Sequence, residues 1–451
     1  MRHFLLIACL FCSINSLHAD VDDIYVQLSS EVELMPIFVS QIDGADSELA
    51  QGYPESIRQV LLFDINNNGA TRALTSKEIA SFSSLGNQNL FEQDPDFAKA
   101  KSDGLLYLVK LKMKKNELIC KVVSVNGQTA TLIDHIFLSG DLAKDRQKIH
   151  QLSDSIHKLL FGKNGIASCR IIYTVKKRFN QPKGDPKWLA EVFMSDYDGY
   201  NIRQLTHDNS LAAHALFMPQ GNKFLYVSYK IGQPKLYVSA LNEFSPQRVT
   251  SLKGIQVTPS INTSGNTIAF SSDVTGRADI FLQPLGKDQK PMQIFTAKGA
   301  ANASPTFSPD GIRVAFVSDK DGSPKVYVMK IPPTGTKLKD VKVELISKRC
   351  RENSAPSWSP DGKKIAYCGK NSGERQIWIY DVETKTERQL TQGKANKENP
   401  TWAPDSLHLL FNAQDGDQTD IYLINLNQPN AQKITSGPGA KLFPSWEPKP
   451  R

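Results

Sequence analysis

Three stretches decide the fold: SPTFSPDGIRVAF from Ser304, APSWSPDGKKIAY from Ala355 and NPTWAPDSLHLLF from Asn399. Weaker copies begin at His214 and Thr258, and the fragment FPSWEP from Phe443 ends the chain. Anchoring each copy two residues after its Pro, or the equivalent, selects Phe217, Ile261, Phe307, Trp358, Trp402 and Trp446. Their successive differences are 44, 46, 51, 44 and 44 residues. A second marker, the Thr or Ser that closes each unit, advances by the same increments through Thr206, Thr250, Thr296, Ser347, Thr391 and Thr435. Two independent markers in step define an internal repeat, and its period belongs to propellers or helical solenoids. Each unit holds short alternating runs split by SPDG or Gly turns, the signature of strands joined by hairpins, and no helical period. Four strands per unit make each unit a blade of a β-propeller.

The ends of the array complete one another. The first unit, 170–206, has an IIYTV, a LAEVFMSD and an IRQLT strand but no preceding PxW strand, whereas PSWEP has nothing after it. If 444–448 supplies the inner strand of the first blade, six units close into six blades without an open edge. The expected fold is therefore multidomain. Residues 1–19 form an export signal, 20–165 a small N-terminal α/β domain, and 166–451 a six-bladed β-propeller closed by a C-terminal strand.

The signal reading rests on Arg2, the apolar run 4–14 and Ala19. Nothing later approaches the ~18 apolar residues of a membrane span. The formal charge of +8 becomes +7 without the signal, a mild basic excess over 110–121, 176–187 and 337–351. It reads as solvated surface, no nucleic-acid motif accompanies it, and a monomer is expected. Cys120, Cys169, Cys350 and Cys368 remain after signal removal, with no zinc spacing. Their pairing is open.

In the N-terminal domain, strands are expected at 24–28 and 34–40, a hairpin over 107–125 turning at Lys115-Asn116, and helices over 54–63 and 141–161. Ile149, Leu152, Ile156, Leu159 and Leu160 form the apolar stripe of the second helix, stopped by Gly162. His150 and His157 read as partly exposed residues at the edge of that stripe, with no third ligand nearby to make a metal pair. Asp64 to Gly69, DINNNG, matches the start of a calcium loop, but Thr75 stands where a bidentate Glu is needed, so it reads as a turn. Asp310, Asp361 and Asp405 sit in turns that require Asp and Gly sterically, and read as scaffold. The Gly-x-Ser-x-Gly elbow is missing, and no room follows the sixth blade for a hydrolase domain. No catalytic residue, metal or cofactor is expected. A rival stays open: a secreted propeller hydrolase or glycan-binding protein using the channel as its pocket.

Ser195 to Asn201, SDYDGYN, resembles the corresponding segment of the TolB family, the periplasmic component of the Tol-Pal cell-envelope system. DINNNG, HKLLFGKNGIA, the PSWSPDG repeats and FPSWEP extend that resemblance over nearly the whole mature chain. It implies a non-enzymatic periplasmic scaffold supporting envelope integrity, constriction during cell division and protein import. It also implies a peptidoglycan-associated lipoprotein at the propeller mouth and an inner-membrane TolA-like partner at the N-terminal region. The loops entering the inner strands form the mouth, which selects Ile255, Thr258, Asn302, Ala303, Ser304, Asn353, Ala355 and Asn399 as partner-binding. Ile255 and Ala303 stand where the family carries His and Thr. The segment Asp20, Val21, Asp22, Asp23 is the one the family uses to communicate between the two sites.

Overall fold

The computed structural model describes residues 24–26, 32–79, 91–92, 96–179 and 187–448. Chain order begins with β1 (Tyr25–Val26), β2 (Met35–Ser47), α1 (Tyr53–Asn66), β3 (Thr71–Ala73) and α2 (Phe97–Ser102). β4 (Tyr107–Lys115), β5 (Glu117–Ser124), β6 (Thr129–Phe137) and α3 (Leu142–Phe161) follow. The N-terminal sheet has the order β3-β2-β4-β5-β6, with β2 parallel to β3 and β4 and the rest antiparallel. Helices α1 and α3 bury Ile57, Leu61, Ile149, Leu152 and Ile156 against one face, over Val39, Leu111 and Cys120. Ala100 of α2 packs on the other face beside Phe38, Leu108 and Val123. Both helices have clear stops: Asn67 after α1, and Gly162 in the left-handed region after α3.

Five points differ from the expectations. α1 runs three residues past Phe63, and β6 is an added strand whose side chains are mostly exposed. The strand expected at 24–28 is described only at Tyr25–Val26, and it pairs antiparallel with Thr391–Gln392 of the propeller rather than with the N-terminal sheet. Leu159 of the expected stripe is exposed, while its neighbours Leu160 and Phe161 pack on the core and on Tyr107. His150 is fully buried, which the next section explains.

The six blades are four-stranded antiparallel sheets with inner strands Ala212–Phe217, Val257–Ile261, Asn302–Phe307, Glu352–Trp358, Asn396–Trp402 and Ala440–Trp446. The last of these pairs with Arg170–Phe179, so the C-terminus supplies the inner strand of the first blade. Arg170 locks the closure. Its N–H and Nε donate to Glu447 Oε2 at 3.1 and 2.8 Å, while the Glu447 N–H returns to its carbonyl at 2.9 Å.

Both repeat markers have a structural cause. The closing hydroxyls of Thr206, Ser347, Thr391 and Thr435 accept N–H groups from Val192, Val326, Ile377 and Ile421 of the same blade at 2.7–2.9 Å. They satisfy donors where the short outer strand stops pairing. In the SPDG turns, Asp310, Asp361 and Asp405 accept the amides of Ile312, Lys363 and Leu407 at 2.9–3.0 Å. The four described cysteines are buried and form no disulfide, and burial pushes the Cys120, Cys350 and Cys368 thiols up to about 12.

Candidate functional site

The channel on the propeller axis is built by one backbone device repeated six times. Each inner strand shifts register against its neighbour at the same point of the repeat, a β-bulge that leaves one residue out of the ladder. The residues in the bulges are His214, Thr258, Ser304, Ala355, Asn399 and Phe443, all with φ between 48 and 55°. Five precede Pro, which has no N–H to give a ladder and so belongs in a bulge. A left-handed conformation costs an L-residue about 1 kcal/mol or more. Six such residues in register persist because the ring of blades over-determines them.

These residues line an axial cavity of about 280 Å³. Links between blades fix its wall: the Ser304 N–H donates to Thr258 Oγ1 at 3.1 Å, and Trp402 Nε1 donates to the Ser357 carbonyl at 3.1 Å. The His214 ring stacks on Phe443 with centroids 3.7 Å apart. Burial pushes His214 down to about 4, so it is neutral at pH 7. The wall therefore mixes hydroxyl, amide and aromatic groups without a fixed charge at its bulge ring.

Four of the expected mouth residues, Thr258, Ser304, Ala355 and Asn399, fall in this ring, with Ala303 beside it. Ile255 lies in the loop entering the third blade, where its N–H donates to Asp273 Oδ1 at 2.7 Å. Asn302 and Asn353 are buried within the ring wall. Asn302 Nδ2 donates to Asp279 Oδ1 at 3.1 Å and Asn353 Nδ2 to the Cys350 carbonyl at 3.3 Å, leaving each Oδ1 without a protein partner. At the equivalent position of the sixth blade and of the strand that closes the first blade stand the buried Lys397 and Lys441. Lys397, pushed down to about 8 by burial, donates to carbonyls 393 and 395, whereas Lys441 pairs with Asp420 at 3.0 Å. His214 and Phe443 were not among the expected residues, although counting the repeat register would have found them.

The segment Asp20 to Asp23 lies outside the described residues. Directly after it, Ile24 and Val26 are buried beside Ile377, Leu390 and Trp402, and the Val26 N–H donates to the Pro429 carbonyl at 2.8 Å. β1 thus lies at the junction of the fifth and sixth blades, a few residues before the inner strand that carries Asn399.

The N-terminal domain docks on the opposite face, where the SPDG turns lie. DINNNG meets the sixth blade: His408 Nε2 lies 2.8 Å from the Asn67 carbonyl, and Asn427 Nδ2 donates to the Gly69 carbonyl at 2.7 Å. Gly69 takes a φ of +72°, where an L side chain is strained, and a Cβ there would also press on the Leu407 side chain, so Gly suits this approach. SDYDGYN meets α3 and α1. Arg146 pairs with Asp198 and lies 3.7 Å over the Tyr200 ring, Tyr197 OH donates to Asp64 Oδ1 at 2.7 Å, and Asn201 Nδ2 donates to the Ala143 carbonyl at 2.8 Å. His150 sits between the domains, its Nδ1 2.9 and 3.0 Å from the Asp64 carboxylate oxygens. This second contact surface, supplied by blade 1, is why His150 is buried. His150, Asp196 and Asp198 form the group of metal-ligating side chains found among the described residues. Two of the motifs that carried the resemblance, DINNNG and SDYDGYN, are thus parts that join the domains.

A six-bladed propeller with a ring-lined axial mouth on one face and an α/β domain clamped to the other defines a two-domain propeller scaffold. Residues 157–449 match the family described as TolB beta propeller domain. The chain belongs to the TolB family. It is 45% identical over 407 residues to a protein TolB homolog of Protochlamydia amoebophila, covering 88% of this chain and 86% of that one. Over 405 residues it is 33% identical to the homolog of Chlamydia caviae, covering 88% and 87%. The fold is also that of the crystal structure of TolB from Acinetobacter baumannii, at a TM-score of 0.74 and 20% identity, covering 94% of this chain and all of that one. Among the described residues no helix is long and apolar enough to cross a membrane.

Proposed function

We propose that this chain is a non-enzymatic periplasmic scaffold of the Tol-Pal system. It holds a peptidoglycan-associated outer-membrane lipoprotein at the propeller mouth and engages an inner-membrane TolA-like protein through its N-terminal region, in support of envelope integrity and cell division. The observation that carries this reading is that the two docking regions share one junction. Thr391 pairs with Val26 of the N-terminal strand and also accepts the Ile377 N–H that closes the fifth blade. The same stretch of chain continues into the inner strand that brings Asn399 to the channel. A partner seated on the mouth therefore bears on the strand that carries the N-terminal segment. The ring suits such docking because its bulges are already fixed, so little ordering entropy is lost when a partner binds.

The test is calorimetric titration of the mature chain with the soluble domain of the same organism's peptidoglycan-associated lipoprotein. Ala355→Arg, which fills the channel from a position already left-handed, is expected to weaken binding at least about 10-fold, the equivalent of ~1.4 kcal/mol. Folded wild-type chain that takes up no lipoprotein would reject the reading.

A further inference from the structure

Three carboxylates converge where α3 meets the first blade: Asp64 from α1, Asp196 from the end of the strand Lys187–Asp196 and Asp198 from the turn after it. All are at most 6% exposed. Facing them are Arg146 and a His150 that is completely buried. Against the single guanidinium of Arg146, three carboxylates leave two negative charges in excess, and uncompensated buried charge is costly. A proton on His150 would remove only half of the excess. A dication removes all of it.

The geometry is that of a metal-ligating histidine. Asp64 lies against Nδ1, which places the ring hydrogen there and leaves Nε2 with its lone pair, the arrangement in which a carboxylate orients a ligating imidazole from behind. Nε2 has no hydrogen-bond partner. It points at Asp198 Oδ2 from 3.5 Å. That is long for a hydrogen bond, but two ligands bound tetrahedrally at zinc distances stand about 3.4 Å apart. One donor atom each from His150, Asp196 and Asp198 lie within 4.8 Å of one another. Their carboxylates are already oriented: Asn201 Nδ2 donates to Asp196 Oδ2 at 2.6 Å, the Tyr200 N–H to Asp198 Oδ1 at 3.3 Å, and Arg146 pairs with Asp198 Oδ2.

We propose that His150 Nε2, Asp196 and Asp198 form a site for a divalent first-row metal, zinc being the best match, which clamps the N-terminal domain to the first blade. One imidazole with two carboxylates suits zinc better than magnesium or calcium, which take all-oxygen shells of higher coordination. The dication and Arg146 together balance the three carboxylates. The site is distinct from the channel and independent of what docks there.

The test uses the full mature chain, stripped with a chelator and re-equilibrated with zinc. Elemental analysis should find zinc in proportion to protein, cobalt should give a tetrahedral visible spectrum, and zinc should raise the melting temperature. Asp196→Asn keeps the size of the side chain and removes its charge, and is expected to weaken zinc at least about 100-fold in competition with a chromophoric chelator, beyond the loss usual for an outer-shell partner. His150→Gln should do the same. Because that change empties a buried ion network and can unfold the joint, Asp196→Asn decides. Stripped wild type that takes up no zinc overturns the proposal, as does zinc held with equal affinity by Asp196→Asn or bound without any rise in melting temperature.

Discussion

Replacing Trp446 tests whether the C-terminal strand closes the ring energetically as well as geometrically. Trp446 is 6% exposed and packs among Ile166, Ile171, Tyr173, Leu410 and Leu423, so it contacts the first blade, the sixth blade and the chain leading into the propeller. Trp446→Ala removes a whole buried indole at a place where the two ends of the array meet, and a change of this kind costs about 3–5 kcal/mol. For a domain of this size the loss corresponds to a fall of roughly 10 °C in melting temperature. The repeat offers its own control. Trp402 holds the equivalent position at 5% exposure, but its Nε1 donates to Ser357, whereas the indole N–H of Trp446 has no partner. Trp402→Phe therefore loses a hydrogen bond that Trp446→Phe does not, and should cost about 1 kcal/mol more. Urea unfolding of the full chain, followed by tryptophan fluorescence and by circular dichroism, measures all three variants. The reasoning is refuted if Trp446→Ala lies within about 1 kcal/mol of wild type, or if Trp446→Phe is the costlier of the two phenylalanine variants.

Asp420→Asn should destabilise by about 3 kcal/mol, because it leaves Lys441, whose side chain is 4% exposed, without its counter-charge. The same unfolding assay checks this, and Asp420→Asn/Lys441→Met should recover most of the loss. His214, pushed from its ordinary 6.5 down to about 4, binds a proton in the unfolded chain before it does in the folded one. Its contribution to stability is therefore fully present above pH 6.5 and lost as pH falls through about 4. His214→Phe should flatten the pH dependence of the melting temperature over that window, and an unchanged slope would contradict the burial argument.

The propeller was legible because its markers have chemical causes that recur from blade to blade. Pro recurs because a bulge in the inner strand tolerates a missing N–H, and Thr or Ser recurs because in four of the six blades its hydroxyl accepts an amide where the outer strand ends, a role that Gln256 takes in the second blade. Four of the channel residues followed from that register, and His214 and Phe443 escaped only because their chemistry differs from that of the other copies. The N-terminal domain was less legible for a different reason. Strand β6 has neither face consistently buried, so it carries no alternation to read. Helix α3 was read as having one buried face, whereas it has two. Ile149, Leu152 and Ile156 face the sheet, while Arg146, His150 and Ser153 form a second, polar stripe at spacings of four and three against the propeller. A polar stripe in one domain reads as solvent until the partner surface is known. Similarly, β1 looked like a member of the nearest sheet in sequence, yet its partner lies beyond residue 390.

Closure of the ring and docking of the N-terminal domain are one structural event, because a line of contacts runs through both. The Trp446 ring on the closing strand stacks against Tyr197 with centroids 6.5 Å apart, and Phe63 of α1 meets the same Tyr197 ring edge-on at 5.7 Å. The Tyr197 hydroxyl reaches Asp64, which holds His150 of α3. Tyr197 belongs to the SDYDGYN turn, and Gly199 in that turn passes so close to the sixth blade that a Cβ would meet the Ile434 carbonyl at 1.9 Å. The turn is thus set by the sixth blade on one side and by the last strand on the other before it presents Tyr197 and Asp198 to the N-terminal domain. A first blade without its inner strand would lack the stacking partner that holds Tyr197. Damage at the C-terminus should therefore appear as loosened protection of α1 and α3, hundreds of residues earlier in the chain.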